Sequence, residues 1–446
     1  MKIEMMEILS DKIDNISLLK KVIETLDNMS SDDRMKIFRE LKNNCNGSIC
    51  NIVIDKSVLR ERTVEDQIKL IEELKNCGYD EYAFNIAVDE GVLSKRTAED
   101  QIKLIEELKN CDYNEKVYRI ITNEDVLRER TVEDQIRLIE ELKNYDYNEI
   151  VYKIITNEDV LRERTAEDQI KLIEELKNCD YNYDVHRIAT ARDVLKIRTT
   201  EDQIKLIEEF KNCDYNEKVY RIITNEDVLR ERTAEDQIKL IEELKNYDYN
   251  EIVYKIITNE DVLRERTTEE QIRLIEELKN CDYNENVFII ITDEYVLSER
   301  TAEDQIKLIE EWKKYGYNGI VYEIVISEKL LRKITTEDQI KLMEELIKYN
   351  YNRFVFEFVF EEATSSDELS KKSCEDKIKY IKKVYIEALK MQPIVVNHSE
   401  NMEGISDVTE FKSYLKTLKQ ELGKDADVRS DTTVPNLLLL KRSGKN

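Results

Sequence analysis

Two histidines, His186 and His398, are the only side chains in these 446 residues that ordinarily titrate near neutral pH. A hydrolase or transferase assembles one distinctive constellation of nucleophile, base and orienting group, and none is visible here. His186 stands where Tyr152 and Tyr220 stand in equivalent stretches, so it reads as a packing variant. Cys45 and Cys50 lie five apart with no histidine nearby, and no Cys-x-x-Cys occurs, which argues against a zinc site. No glycine-rich loop offers backbone amides to a phosphate. Acidic pairs such as Glu140-Glu141 recur too often to be one active site. The residues point to binding without catalysis, cofactor or metal.

Several rows of residues recur at a fixed spacing. Arg119, Lys153, Arg187, Arg221 and Lys255 form a basic ladder that gives way to Ile289, Glu323 and Glu357. Such a row is able to follow a phosphate backbone or an acidic peptide. Glu115, Glu149, Glu217 and Glu251 lie four residues earlier, an arrangement that also makes a solvated ion-pair face. Tyr79, Tyr113, Tyr147, Tyr181, Tyr215, Tyr249, Tyr283, Tyr317 and Tyr351 form an unbroken tyrosine row. It reads as a turn residue packed between modules with its hydroxyl on a backbone partner, or as a set of stacking platforms. Gln67, Gln101, Gln135, Gln169, Gln203, Gln237, Gln271, Gln305 and Gln339 form another row, expected to run amide hydrogen bonds from copy to copy. Two stretches break the pattern: Tyr183, Asp184, His186 and Arg192 in one copy, and Trp312 with Gly316 and Gly319 in another. Each is a contact patch, a bend or drift.

What positions these rows is a module of 34 residues. Thr63, Thr97, Thr131, Thr165, Thr199, Thr233, Thr267, Thr301 and Thr335 mark its start, and a period in the 20–50 range signifies a solenoid or array. In residues 131–164, Thr131 is an N-cap, with Glu133 and Asp134 in the first turn opposing the helix dipole. Ile136, Leu138, Ile139 and Leu142 give a helical apolar stripe. Asp146-Tyr147-Asn148 is a turn, and a second helix begins near Glu149. Thr156-Asn157-Glu158-Asp159 repeats a capping signature, which predicts a short third helix at Val160–Glu163; the alternative is one long second helix.

In chain order, residues 1–29 are expected to form an N-terminal helical cap, and 30–62 a degenerate first copy. Residues 63–368 hold nine regular copies, the last decayed, and 369–391 a C-terminal capping helix. Residues 392–446 comprise a linker, an amphipathic helix at 408–422 and a flexible tail. Within the tail, Leu437–Leu440 either docks back on the array or serves as a short partner motif. Residues 111–182 and 213–284 differ only at Val132/Ala234, Arg137/Lys239, Ala166/Thr268, Asp168/Glu270 and Lys171/Arg273, the trace of a three-copy block duplication.

The net charge is −27, and residues 130–163 contribute five basic against nine acidic side chains. Such a surface repels phosphate and anionic lipid and attracts basic partners. No apolar run is long enough to span a bilayer, and Met1-Lys2-Ile3-Glu4 does not open a signal peptide. Cys77, Cys111, Cys179, Cys213 and Cys281 share one repeat position. Stacked copies stand about 9–10 Å apart, too far for a bridge, so the cysteines read as reduced and the protein as cytoplasmic.

The 34-residue helix-turn-helix module resembles the α-solenoid class of helical repeats, the architecture of tetratricopeptide and HEAT arrays. The resemblance covers roughly residues 30–391 and implies an all-α superhelical stack of about ten copies. The tetratricopeptide Trp-Leu-Gly-Tyr pattern is absent, as are the paired variable positions of base-reading arrays. The expectation is a non-enzymatic scaffold for a protein or peptide, a basic one by charge complementarity. A nucleic-acid reader using the basic ladder, or an acidic mimic of nucleic acid, is the alternative.

Overall fold

The computed structural model describes residues 2–347 apart from 45 and 333, positions 376, 379 and 383, and the segments 394–397, 426–430 and 437–442. Each fully described copy folds into three helices. In residues 131–164 these are Val132–Asn144, Glu149–Thr156 and Glu158–Glu163. The third helix therefore begins two residues earlier than the sequence predicts, and the long second helix does not form. Asn157 makes the break: its backbone is extended, and its side-chain oxygen accepts the amide of Val160 at 2.9 Å.

The first helix starts at the expected threonine. Thr131 accepts the amide of Asp134 at 3.1 Å. At Thr63, Thr97, Thr165 and Thr267 the acidic residue three positions on returns a bond to the threonine amide, completing a capping box. The helix ends in two residues with left-handed backbone, Asp146 at φ 50° and Tyr147 at φ 55°. The Tyr147 amide reaches back to Leu142 O at 2.9 Å and the Asp146 amide to Lys143 O at 3.1 Å, so the last carbonyls are satisfied. A tyrosine pays a conformational cost there of about 1–2 kcal/mol, which burial of its ring offsets. Gly78 and Gly316 take the aspartate position at φ 62° without that cost.

Leu138, Ile139, Leu142, Val151, Ile154, Ile155, Val160 and Leu161 are all buried. At about 2 kcal/mol per side chain, this stripe is the main attraction between copies. The chain divides into two units, Met1–Asn246 and Tyr247–Asn446. Within the first, like packs on like: first helices Val64–Asn76 and Ala98–Asn110, second helices Glu149–Thr156 and Tyr183–Thr190, third helices Glu158–Glu163 and Arg192–Ile197. Within the second unit, Thr268–Asn280 packs on Ala302–Lys314 in the same way.

At the N-terminus, α1 (Lys2–Ser10) and α2 (Ile16–Asp27) bury Met5, Leu9, Val22, Ile23 and Leu26 against the degenerate copy. That copy keeps the full plan, with helices Ser31–Asn44, Gly47–Ile54 and Lys56–Glu61. The repeats are all-α, an α-solenoid. The segment expected to be linker and flexible tail instead contributes β1 (Ile394–Asn397), β2 (Ala426–Ser430) and β3 (Leu437–Arg442), an antiparallel sheet in the order β1-β3-β2. Leu437–Leu440 is thus the central strand, paired with Ile394–Asn397 on one edge and Ser430–Val428 on the other. A run of four leucines covered on both edges and flanked by β-branched Val395, Val396 and Val428 suits a strand. The expected helix at 408–422 and the main part of the capping helix at 369–391 lie outside the described residues. Among the described residues no helix is long and apolar enough to cross a membrane.

Candidate interaction surfaces

A row the sequence reading passed over lies at the centre of the stack. The arginine that closes each copy, Arg62, Arg96, Arg130, Arg164, Arg198 and Arg300 among them, is buried. Arg130 donates through Nη1 to Leu161 O at 2.9 Å, through Nη2 to Arg164 O at 2.6 Å and through Nε to Gln169 Oε1 at 3.0 Å. In the second unit Arg300 makes the same bonds to Leu331 O, Ile334 O and Gln339 Oε1. The accepting carbonyls end a third helix and have no partner within it. A cation at the negative end of a helix needs no carboxylate, and among the described residues Arg130 has none within ion-pair distance. Burial holds its guanidinium below the usual arginine range, yet a guanidinium stays protonated.

This changes the reading of the glutamine row. Gln101, Gln135, Gln169, Gln203, Gln237, Gln305 and Gln339 are fully buried. No chain of amides links them. Gln169 donates to Ile154 O at 3.1 Å in the second helix before it and accepts from Arg130. The signal in the sequence was an arginine that never varied from Arg62 to Arg300 and became Ile334. It was missed because an arginine beside a helix cap looks solvated.

Tyr351 lies outside the described residues, and the described members of the tyrosine row sit in left-handed turns after the first helices. The Tyr113 hydroxyl donates to Cys77 O of the preceding copy at 3.2 Å. Burial foremost pushes Tyr113, Tyr147 and Tyr215 up to about 12. The cysteines beneath are buried and unbridged. Cys111 Sγ donates to Glu107 Oε1 at 3.5 Å, and burial raises its pKa, so the thiol is a poor nucleophile.

On the first-helix face, cations are engaged between copies. Lys103 pairs with Glu133 at 3.3 Å, Arg137 with Glu167 at 2.6 Å and Lys171 with Glu201 at 3.3 Å. Lys109 and Lys143 donate to the last carbonyl of the preceding first helix, Asn76 O at 3.0 Å and Asn110 O at 2.7 Å. Left over are two exposed rows, Glu106, Glu140, Glu174 and Glu208 with Asp112, Asp146, Asp180 and Asp214. Among the described residues none of these carboxylates makes an ion pair or hydrogen bond. The second unit repeats the pattern with Arg273–Glu303 at 2.5 Å and exposed Glu276, Glu310 and Asp282.

The basic ladder lies on the second helices. Arg119 pairs with Glu115 at 2.6 Å and Arg221 with Glu217 at 2.5 Å, as the spacing predicts. Arg187 turns to Asp184 at 3.3 Å and lies 4.4 Å from the Tyr220 ring. Lys153 departs from the pattern. Its expected partner Glu149 is held by Lys116 of the preceding copy at 3.0 Å, and Lys153 is exposed with no ion pair among the described residues. Lys255, in the second unit, is likewise exposed.

The divergent residues separate. Trp312 is fully buried, its Nε1 donating to Asn318 O at 2.8 Å and its ring 5.0 Å from Tyr317 and 5.5 Å from Tyr322. It fills the core position of Leu142 and belongs to no surface patch. Phe210 does the same in an earlier copy. Tyr183, by contrast, is 67% exposed and stacks 6.2 Å from His186. Both His186 ring nitrogens are buried without a partner, and burial, then Lys153, lowers its pKa. Arg192 reaches back to Asp159 at 3.7 Å.

Fold and inter-copy bonding define a helical-repeat α-solenoid. No protein-family model matches the chain, and no curated protein matches it significantly.

Proposed function

We propose that this chain is a non-enzymatic scaffold that binds a basic protein or peptide along the first-helix face. One observation carries the reading: the cations of that face are engaged between copies, while Glu106, Glu140, Glu174 and Glu208 repeat outward without a partner. A row of unpaired carboxylates of one sign speeds encounter with cationic partners and repels nucleic acid. The nucleic-acid alternative has less support, since Arg119, Arg187 and Arg221 each sit on a carboxylate of their own helix. Buried thiols and the low pKa of His186 favour binding over catalysis, and unbridged cysteines favour a reducing compartment such as the cytoplasm.

The test is a titration with a lysine- and arginine-rich peptide and, separately, with mixed-sequence oligonucleotides. The peptide should bind, weaken as salt shortens the screening length below about 8 Å, and weaken further when Glu106, Glu140, Glu174 and Glu208 become Gln. Tight oligonucleotide binding that vanishes when all five ladder residues become Ser would overturn the reading.

A further inference from the structure

We infer that the second helix of copy 165–198 carries a second docking point, separate from the acidic face, for an acidic peptide segment with an aromatic or large aliphatic side chain beside its carboxylate. The copy departs from its neighbours in one direction. Tyr183 replaces the glutamate of Glu115, Glu149, Glu217 and Glu251; Arg192 replaces Glu158; Ile197 replaces Glu163. Copy 131–164 holds five basic and nine acidic residues, a net of −4, whereas copy 165–198 holds six and seven, a net of −1.

These changes are not neutral for the fold. The third helix of this copy starts at Ala191 with no side-chain cap, where Asn157 caps its counterpart. Ile197 is 43% exposed. The His186 ring leaves both nitrogens buried and unbonded. Local rules broken together in one copy between two regular neighbours mark a place kept for contact.

The chemistry of the point follows from its members. Tyr183 offers an exposed ring already stacked on His186, and large rigid rings are favoured anchors. At the Lys116 position the preceding copy has Ile150, so the ion pair found at Lys116–Glu149 has no counterpart at Tyr183. Lys153 supplies an exposed ammonium that makes no ion pair among the described residues, its neighbouring acid Glu149 being held by Lys116, and lies close enough to His186 to disfavour its protonation. Arg187 is fixed by Asp184 and the Tyr220 ring, so Lys153 is the group left for an incoming anion. The −27 of the whole chain is little felt there, because exposed charges beyond about 8 Å are screened at physiological salt.

The experiment titrates the full chain against a dye-labelled peptide with a central Glu-Phe-Glu-Asp, its Phe-to-Ala analogue, and dye-labelled oligothymidylate. Tyr183→Glu restores the residue of neighbouring copies, so it should fold as the wild type does by circular dichroism. It should weaken peptide binding at least about tenfold; Lys153→Ser should weaken it about fivefold. Lys255→Ser, at an exposed lysine whose following copy has Glu285 in place of the tyrosine, should change nothing. Binding of the lysine- and arginine-rich peptide should be intact in Tyr183→Glu, which separates failure here from failure of the acidic-face reading. No binding by the wild type, equal binding of the Ala analogue, or indifference to Tyr183→Glu each overturns the proposal. Oligothymidylate binding abolished by Tyr183→Glu would overturn it in favour of nucleic acid.

Discussion

Copies 131–164 and 165–198 have nearly the same first helix, VEDQIRLIEELKN against AEDQIKLIEELKN, and both close on a buried arginine, Arg164 and Arg198. Their second helices read EIVYKIIT and YDVHRIAT, and their third helices EDVLRE and RDVLKI. What stays constant is what must meet the next copy: the apolar stripe, the glutamine that orients the arginine, and the arginine itself. Most of what varies faces water; the exceptions on the second helices are Ile155, which becomes Ala189 within the buried stripe, and Tyr152, which becomes the half-buried His186. Stacking and recognition are therefore written on different residues of one module, and a copy can change its surface without losing its place in the array.

The largest expected effect separates the copies by pH. Tyr145 and Tyr147 of the regular copy are both pushed up to about 12, burial being the main cause. Copy 165–198 has Cys179 in the first position and only Tyr181, whose pKa burial also raises. A phenol that resists ionisation in the fold but ionises near 10 once unfolded contributes stability that is whole below pH 10 and lost as pH rises toward 12. Tyrosinate absorbance and circular dichroism should therefore change together across that window, and Tyr145→Phe, which removes one ionising phenol, should move the transition upward. Ionisation completed near pH 10 with the helices intact would show that the rings are not buried.

Next comes the arginine. Arg130→Ala strands Gln169 Oε1 and the carbonyls of Leu161 and Arg164 in a site too buried for bulk water. The expected loss is about 3 kcal/mol, read as a lowered urea midpoint, and Arg164→Ala should match it although Arg164 bonds into the divergent copy, at Leu195 O and Arg198 O. A loss below about 1 kcal/mol in both would mean the apolar stripe alone holds the copies in register.

A smaller effect of opposite sign is expected at the divergent copy. Ala191→Asn supplies the cap that Asn157 gives its counterpart, where Asn157 Oδ1 accepts Val160 N at 2.9 Å. The gain should be about 1 kcal/mol in the urea midpoint. No gain would indicate that the backbone at Ala191 is held by something other than its cap.

The fold was legible because its period, caps and apolar stripe are local: Thr131, Leu138 and Asn157 each state their role within a few residues. The third helix was legible in kind and short by two residues, since a cap signature marks a start only to within a turn. Arg130 was not legible, because its acceptors at Leu161, Arg164 and Gln169 lie 31, 34 and 39 residues away. Lys153 was misread for a related reason. The i,i+4 rule sees Glu149 on the same helix, and only the stacked neighbour reveals that Lys116 has taken it. Trp312 looked like a surface signal because it is rare, yet it stands at a core position.

The smallest effect tests whether the exposed ladder on the first helices matters to stacking at all. Arg137 and Glu167 lie 2.6 Å apart across the copy boundary, with side chains 49% and 59% exposed. Water screens such a pair, and ordering two long side chains offsets the attraction that remains, so an exposed pair adds little to stability. Arg137→Ser should shift the urea midpoint by less than Arg130→Ala by severalfold, and high salt should erase the shift. It should also leave Glu167 without its cation and so add one carboxylate to the acidic face. Affinity for a lysine- and arginine-rich peptide should then rise slightly while stability falls slightly. A loss as large as that of Arg130→Ala would place the register of the array on its surface charges and undo the division between stacking and recognition.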